Sequence, residues 1–191
     1  IEKNQKKLKI EAITCNRNLA KLLKIAKKFK VKKIGYNIRN VKKIKNYNLK
    51  NYNITEDISC FDQLISSKTN IIIFAISGLE PLRLLSEILK IGKTVGLANK
   101  ECIISFGEKL INLAKKNSSN IIPLDSEHNS IHHLLNNYKE KFKSITITAS
   151  GGPFYKLKHT ELKNITPADA LKHPVWNMGK KISIDSSTMM N

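Results

Sequence analysis

The stretch Asn70–Ile76, with six successive apolar residues from Ile71 to Ile76, most constrains what this chain can fold into. A strand with one wet face alternates apolar and polar residues, so an unbroken run predicts a strand buried on both faces of a parallel sheet. Leu8–Thr14, Val31–Asn37, Thr94–Ala98 and Ser119–Ile122 read as further short strands. Between them lie helical patterns: Leu19, Leu22, Leu23 and Ala26 share one face, a helix begins near Pro81, and Ile103, Phe106, Leu110 and Ala114 make an apolar stripe. Asp57–Ser66 predicts a short helix, and the Lys- and Asn-rich segment from Arg39 to Asn53 reads as variable surface. Strand and helix thus alternate up to Leu124, which predicts an α/β fold with a doubly wound layer.

From Ser126 the pattern changes, and a boundary between Asp125 and Ser126 is expected. Ile131, Leu134 and Leu135 suggest a helix, a charged segment runs from Tyr138 to Lys143, and Ser144–Ala149 alternates like a strand. Thr166-Pro167-Ala168-Asp169 has the form of a capping box with proline at the first helical position, opening a short helix to Lys172. His173 to Gly179 reads as a loop, and Lys181–Asp185 as a final strand.

The net charge of +19 invites a nucleic-acid reading, but the pattern argues against it. Of 34 basic residues only Arg17, Arg39 and Arg83 are arginine, and Lys, Ile and Asn together make 78 of the 191 residues, the drift of an A+T-rich genome. The lysines are scattered, without the interleaved aromatics that stack bases. Cys15, Cys60 and Cys102 are odd in number and show no metal-ligand spacing, which suits a reducing compartment. The longest apolar run is far short of the ~20 residues of a membrane span, so no membrane role is expected.

The chemistry-bearing stretch is Pro123-Leu124-Asp125-Ser126-Glu127-His128-Asn129. Two carboxylates two residues apart at a strand end project to one side if the backbone is extended, and they repel unless a proton or cation lies between them. Oxygen ligands suit Mg²⁺ or Mn²⁺. The competing reading is that Asp125 caps the following helix while Glu127 is solvated in its first turn. Cys15-Asn16-Arg17-Asn18 is a basic, amide-rich turn after a strand, where an arginine suits the 2′-phosphate of NADP; a solvated turn with an Asn helix cap is the alternative. Ser150-Gly151-Gly152 is a turn whose amides and hydroxyl suit a phosphate oxyanion, or simply a turn.

Four blocks decide among these readings: Gly96-Leu97-Ala98-Asn99-Lys100-Glu101; Asp125-Ser126-Glu127-His128-Asn129; Thr148-Ala149-Ser150-Gly151-Gly152-Pro153-Phe154; and Lys172-His173-Pro174-Val175-Trp176-Asn177-Met178-Gly179-Lys180-Lys181, running on through Ser183-Ile184-Asp185-Ser186-Ser187-Thr188-Met189-Met190-Asn191. In this order and spacing they resemble the 1-deoxy-D-xylulose 5-phosphate reductoisomerase family, NADPH-dependent enzymes of non-mevalonate isoprenoid biosynthesis. The resemblance is detailed from about residue 94 onward and loose before it.

It implies a Rossmann-like NADPH-binding domain over residues 1–125 and part of an α+β catalytic domain over 126–191. The implied reaction rearranges the carbon skeleton of 1-deoxy-D-xylulose 5-phosphate and reduces the product to 2-C-methyl-D-erythritol 4-phosphate. The resemblance implies NADPH and Mg²⁺ or Mn²⁺ as cofactors, with Asp125 and Glu127 as metal ligands. Lys100 and Glu127 are the implied catalytic residues, and Ser126 is an implied substrate donor. Ser150, His173, Ser186 and Asn191 match phosphate-binding positions, and Trp176 and Met178 match a lid over the substrate. Arg17, Asn18, Ser77, Asn99, Lys100 and Glu101 match the cofactor side.

Some blocks depart from the family. Ser130-Ile131-His132-His133 stands where Ala-Ile-Phe-Gln is common, and His132 and His133 read as surface residues. Val175 precedes the lid tryptophan where a polar residue is usual. The Gly-x-Thr-Gly-x-Ile-Gly phosphate loop and the Lys-Gly-x-Glu that supplies a third metal ligand are not in these 191 residues. The chain is therefore expected to be a piece of a longer protein, inactive alone, with an apolar strand edge exposed. The complete protein is expected to be a homodimer binding a sugar phosphate, in a bacterial cytoplasm or a plastid-type organelle. Two other readings stand beside it: a different NAD(P)-dependent dehydrogenase, and a non-catalytic basic binding module.

Overall fold

The computed structural model describes residues 2–4, 7–42, 44–137, 142–175, 177 and 179–188. Trp176, Met178 and Asn191 lie outside the described residues. Internal contacts divide the chain into two compact units, Ile1–Asp125 and Ser126–Asn191.

In the first unit strands and helices alternate: β1 (Ala12–Cys15), α1 (Leu19–Lys28), β2 (Lys33–Tyr36), β3 (Asn53–Thr55), a 3-10 helix (Ile58–Leu64), β4 (Ile71–Phe74), α2 (Leu82–Leu89), β5 (Thr94–Leu97), α3 (Lys100–Lys116) and β6 (Asn120–Pro123). The strands form two three-stranded parallel sheets, ordered β1-β2-β3 and β4-β5-β6. Each sheet has its own core. Leu19, Leu22 and Ala26 of α1 lie one turn apart and bury against Val31, Ile34 and Tyr36; Leu85, Ile88 and Leu89 of α2 and Leu110 and Ala114 of α3 bury against Phe74, Val95 and Leu97. Each large side chain so buried contributes roughly 1.5–3 kcal/mol. The helices start where the sequence supplies an acceptor: the Asn18 side chain takes the Lys21 N–H at 2.9 Å, and that of Asn99 takes the Cys102 N–H at 2.7 Å.

The α/β reading with parallel sheets holds, and several details differ. The central strands β2 and β5 are buried on both faces, whereas β4, expected to be so, leaves Ile71 and Ile73 52% and 58% exposed. It is an outer strand of its sheet, so the apolar run reflects a surface that nothing described covers. β3 falls at the end of the segment read as variable surface; three residues, one of them apolar, carry too little pattern to announce a strand. Phe106 leaves the predicted stripe of α3 at a residue whose backbone is non-helical (φ −138°, ψ 19°), and Leu110 and Ala114 beyond it stay buried.

The second unit contains α4 (Ser126–Asn137), a 3-10 turn (Glu161–Asn164), α5 (Pro167–Ala170) and α6 (Lys180–Ser187). The expected capping box is present at α5: Thr166 and Asp169 exchange side-chain-to-backbone hydrogen bonds, and Pro167 is the first helical residue. Two predicted strands are not formed. Ser144–Ala149 has no ladder among the described residues, and its Ile145 and Ile147 are exposed; alternation alone makes no strand without a partner. Lys181–Asp185 is helical, part of α6, with backbone bonds from Ser183 to Gly179 and from Thr188 to Ile184 and an ion pair between Lys181 and Asp185 at 2.8 Å. The alternating Ile182 and Ile184 mimic a strand period, but the charges are spaced four apart and suit a helix.

At the amino ends of the strands, Glu11 gathers three elements. It accepts from the Thr69 hydroxyl ahead of β4 and from Lys33 Nζ of β2 at 2.9 Å. These bonds, first that of Thr69, then Lys33 and Ser66, hold the carboxyl down at about 2. A depressed native value means stability that is full above the ordinary 4.5 and is lost as pH falls from there toward 2. Glu11→Gln should cost about 1–2 kcal/mol at pH 7, after allowance for solvent screening, and almost nothing near pH 2. Urea unfolding at the two pH values checks this, and an equal loss at both would remove the carboxylate's charge from the account.

Candidate active site

Parallel strands end on one side, so the first unit brings its polar side chains to the carboxyl rims of its sheets. In the second sheet the register pairs Phe74 with Leu97 and Leu97 with Pro123. The turn at Ser77, the start of α3 at Asn99 and Lys100, and Asp125 therefore leave neighbouring strands at similar heights. Lys100 Nζ lies 3.7 Å from Asp125 Oδ2, with the two side chains 10% and 13% exposed. A cation and a carboxylate kept this dry hold each other more firmly than a surface pair does. Glu101 is half-buried in the first turn of α3. Burial, with Glu101 second, pushes the neighbouring Cys102 thiol up, away from the thiolate a nucleophile needs.

Asn99, a cofactor candidate, is 2% exposed, and its side chain is engaged within the protein. Ser77 is exposed on the turn after β4. In the other sheet Arg17 is exposed after β1, and Asn18 takes the helix-cap role that the sequence left open. Asn16 was not singled out, yet its Oδ1 accepts from Asn40 Nδ2 at 2.7 Å and ties the turn after β1 to the loop after β2. A cluster of amide residues in each loop was the available signal.

Asp125 and Glu127 are not on one extended segment. The strand stops at Pro123, Asp125 lies in a bend, and Glu127 is in the first turn of α4, so the two-residue periodicity of a strand does not relate them. Ser126 Oγ donates to Glu127 Oε2 at 2.7 Å. The donor set is two hard carboxylates, chemistry that suits Mg²⁺ or Mn²⁺ with other oxygens completing the shell. Among the described residues no group of three His, Cys, Asp or Glu side chains could hold a metal ion.

The second unit brings together three of the predicted residues from positions 23 and 36 apart. Ser150 Oγ is 3.1 Å from His173 Nε2 and 3.0 Å from Ser186 Oγ. His173 Nδ1 accepts the backbone N–H of Val175 at 3.2 Å, so in the neutral ring the proton resides on Nε2, facing the Ser150 hydroxyl. Gly151 and Gly152, at φ +80° and +66°, make the approach possible. A Cβ on Gly152 would sit 2.7 Å from Ser187 Cα and 2.8 Å from the Ser186 carbonyl oxygen, both backbone. α5 leads into this site. Its Asp169 is held down at about 2 by Thr166 and by Lys172, the residue just before His173. Beside His173, Pro153, Phe154, Leu157, Lys172 and Pro174 line part of a concavity of about 410 Å³. An N–H and two hydroxyls converging at a glycine turn can hold an anion, most simply a phosphate.

A parallel α/β layer with polar rims, joined to a unit with an anion-suited turn, defines a two-unit α/β protein of the ligand-binding class. The chain belongs to the 1-deoxy-D-xylulose 5-phosphate reductoisomerase family. The family's model matches residues 1–107, and that of the reductoisomerase C-terminal domain matches residues 121–191. The 1-deoxy-D-xylulose 5-phosphate reductoisomerase of Pelagibacter ubique is 43% identical over 197 residues, covering 100% of this chain and 50% of the relative; that of Clostridium novyi is 42% identical over 199 residues, covering 100% and 51%. Among solved structures, DOX-P reductoisomerase in complex with NADPH, fosmidomycin and magnesium superposes with a TM-score of 0.82 at 29% identity, and the Zymomonas mobilis reductoisomerase with NADPH at 0.79 and 32%. Each covers 100% of this chain, which covers 50% of either. The chain thus spans about half the length of the relatives it matches.

The close backbone at Gly152 yields a test. Gly152→Ala should destabilise by about 2 kcal/mol or more, because it adds both a positive-φ penalty and a backbone clash. Gly179→Ala, with nothing within 4 Å and an ordinary φ, should stay within about 0.5 kcal/mol. Equal losses in urea unfolding would show that the turn tolerates a side chain.

Proposed function

We propose that this chain is part of an enzyme that converts 1-deoxy-D-xylulose 5-phosphate to 2-C-methyl-D-erythritol 4-phosphate with NADPH and a divalent cation. The carrying observation is the meeting of Ser150, His173 and Ser186 at the Ser-Gly-Gly turn, in a chain of the reductoisomerase family. Related proteins in complex with NADPH, fosmidomycin and magnesium support the cofactor and metal assignment. When bound, the cation supplies Lewis acidity toward the substrate's carbonyl and hydroxyl oxygens, and NADPH supplies hydride.

The chain's own residues bind and orient. His173 Nε2–H and the hydroxyls of Ser150 and Ser186 hold the substrate phosphate, with Asn191 in the same role. Anchoring the phosphate offsets the entropy of placing the reacting carbons. Lys100 brings positive charge to the oxygens at the reacting end, next to Asp125. Asp125 and Glu127, two residues apart in the chain, are the carboxylates that would hold the cation, and Ser126, whose single hydroxyl proton goes to Glu127 in the free protein, turns it to the substrate when that binds. Trp176 and Met178 exclude water as a lid. Arg17 and Asn18 take the 2′-phosphate side of NADPH, and Ser77, Lys100 and Glu101 its other end, so residues 1–125 act as the cofactor domain and 126–191 as part of the catalytic domain. By the family resemblance the complete protein is a homodimer, placed in the cytoplasm if bacterial, as the organisms of its relatives support, or in a plastid-type organelle if eukaryotic.

The experiment is a chimera in which these 191 residues replace the equivalent half of the Pelagibacter ubique relative. Glu127→Gln should lower metal-dependent turnover by at least about 10³-fold and leave NADPH affinity within about twofold, because the amide keeps the shape and loses the charge. Comparable loss of both would assign Glu127 to the fold. Arg17→Ala should weaken NADPH about tenfold or more while leaving NADH unchanged, since only NADPH carries the 2′-phosphate. Fluorescence titration with both nucleotides gives the ratio, and a constant ratio would remove Arg17 from the site.

A further inference from the structure

Asn99 commits its whole side-chain amide to the protein. Oδ1 accepts the Cys102 N–H and caps α3, while Nδ2 donates to the Ile76 carbonyl at 2.5 Å and to the Gly78 carbonyl at 2.7 Å. An NH₂ group has two protons, and both are spent here. The two carbonyls flank Ser77. One side chain, 2% exposed, therefore joins the turn after β4 to the first turn of the helix after β5. The Cys102 thiol adds a weaker bond to the same Gly78 carbonyl at 3.7 Å.

A helix cap needs only the acceptor, and Ser, Thr or Asp would supply it as well. What distinguishes asparagine is the donor pair, and that pair is aimed entirely at the neighbouring loop. Ser77 stands between the two anchored carbonyls on the loop side, and Lys100 directly follows Asn99 on the helix side. Both are residues that the reductoisomerase reading puts against cofactor and substrate.

We infer that Asn99 is a positioning residue: it locks the Ser77 turn to the start of α3, so that Ser77 and Lys100 meet NADPH and substrate as one fixed edge. It does so without touching either ligand through its side chain. The role rests on the reductoisomerase reading of this rim. Ligand binding at a carboxyl rim depends on the mutual placement of successive loops, and this bond pair ties two of them together.

The test uses the same chimera with Asn99→Asp and Asn99→Ser. Both substitutions keep a cap acceptor for Cys102 and remove the donor pair; the second adds no charge opposite the carbonyls and guards against misfolding of the first. At a temperature well below every melting point, both should raise the NADPH dissociation constant at least tenfold. Amide exchange over residues 77–80 should accelerate by a similar factor, and inorganic phosphate should bind within twofold of the parent. Lowering the pH should partly restore NADPH binding to Asn99→Asp alone, because a protonated carboxyl regains one donor. If melting falls but NADPH affinity and exchange stay within twofold of the parent, Asn99 is structural and the inference is overturned. If exchange accelerates in the variants while the parent chimera binds no NADPH, the clamp stands and the reductoisomerase reading of the rim fails.

Discussion

Everything placed on the first unit's rim depends on parallel pairing. Because β4, β5 and β6 run the same way and pair Phe74, Leu97 and Pro123 in register, their carboxyl ends stop together and their polar loops share one edge. An antiparallel neighbour would send one of those loops to the far side. The Lys100–Asp125 contact across β5 and β6 follows directly, and so does the reach of Asn99 back to the turn after β4. Two short hydrophobic cores hold that direction fixed, one under each sheet.

The second unit works by another rule. Its site is built from a glycine turn, a loop histidine and a helix serine, none of which a ladder aligns. Close backbone approach does the aligning: Gly152 packs on Ser186 and Ser187, which seats the Ser186 hydroxyl beside Ser150. The Val175 amide then turns the imidazole so that Nε2 faces the Ser150 hydroxyl. The anion-suited geometry is thus set by main-chain contacts more than by side-chain packing.

The fold class was legible because strand-like runs, five of them before Leu124, alternate with helical patterns, and such alternation is a long-range signal. Strand edges and partners were not. Ser144–Ala149 and Lys181–Asp185 both alternate, yet the first has no ladder among the described residues and the second is part of α6, because alternation reports which side chains could share a face and says nothing of what pairs with them. The Thr166–Asp169 box was readable since a cap is a local, four-residue event. The meeting of Ser150, His173 and Ser186 was reached only through family resemblance, since contacts across 23 and 36 residues leave no local mark. Asn99 was matched to the cofactor side through the family resemblance, while the two carbonyls its side chain holds leave no mark in the sequence.

Glu11 and its partners Lys33 and Thr69 sit at the amino ends of the strands, opposite the rim that carries Asn99, Lys100 and Asp125. Strand direction therefore separates two kinds of selection. The Glu11 bonds act on stability at the amino end, and the polar rim lies at the carboxyl end, with a layer of aliphatic core between them. Lysine, isoleucine and asparagine can therefore replace other residues on the surface of one end without reaching the side chains of the other.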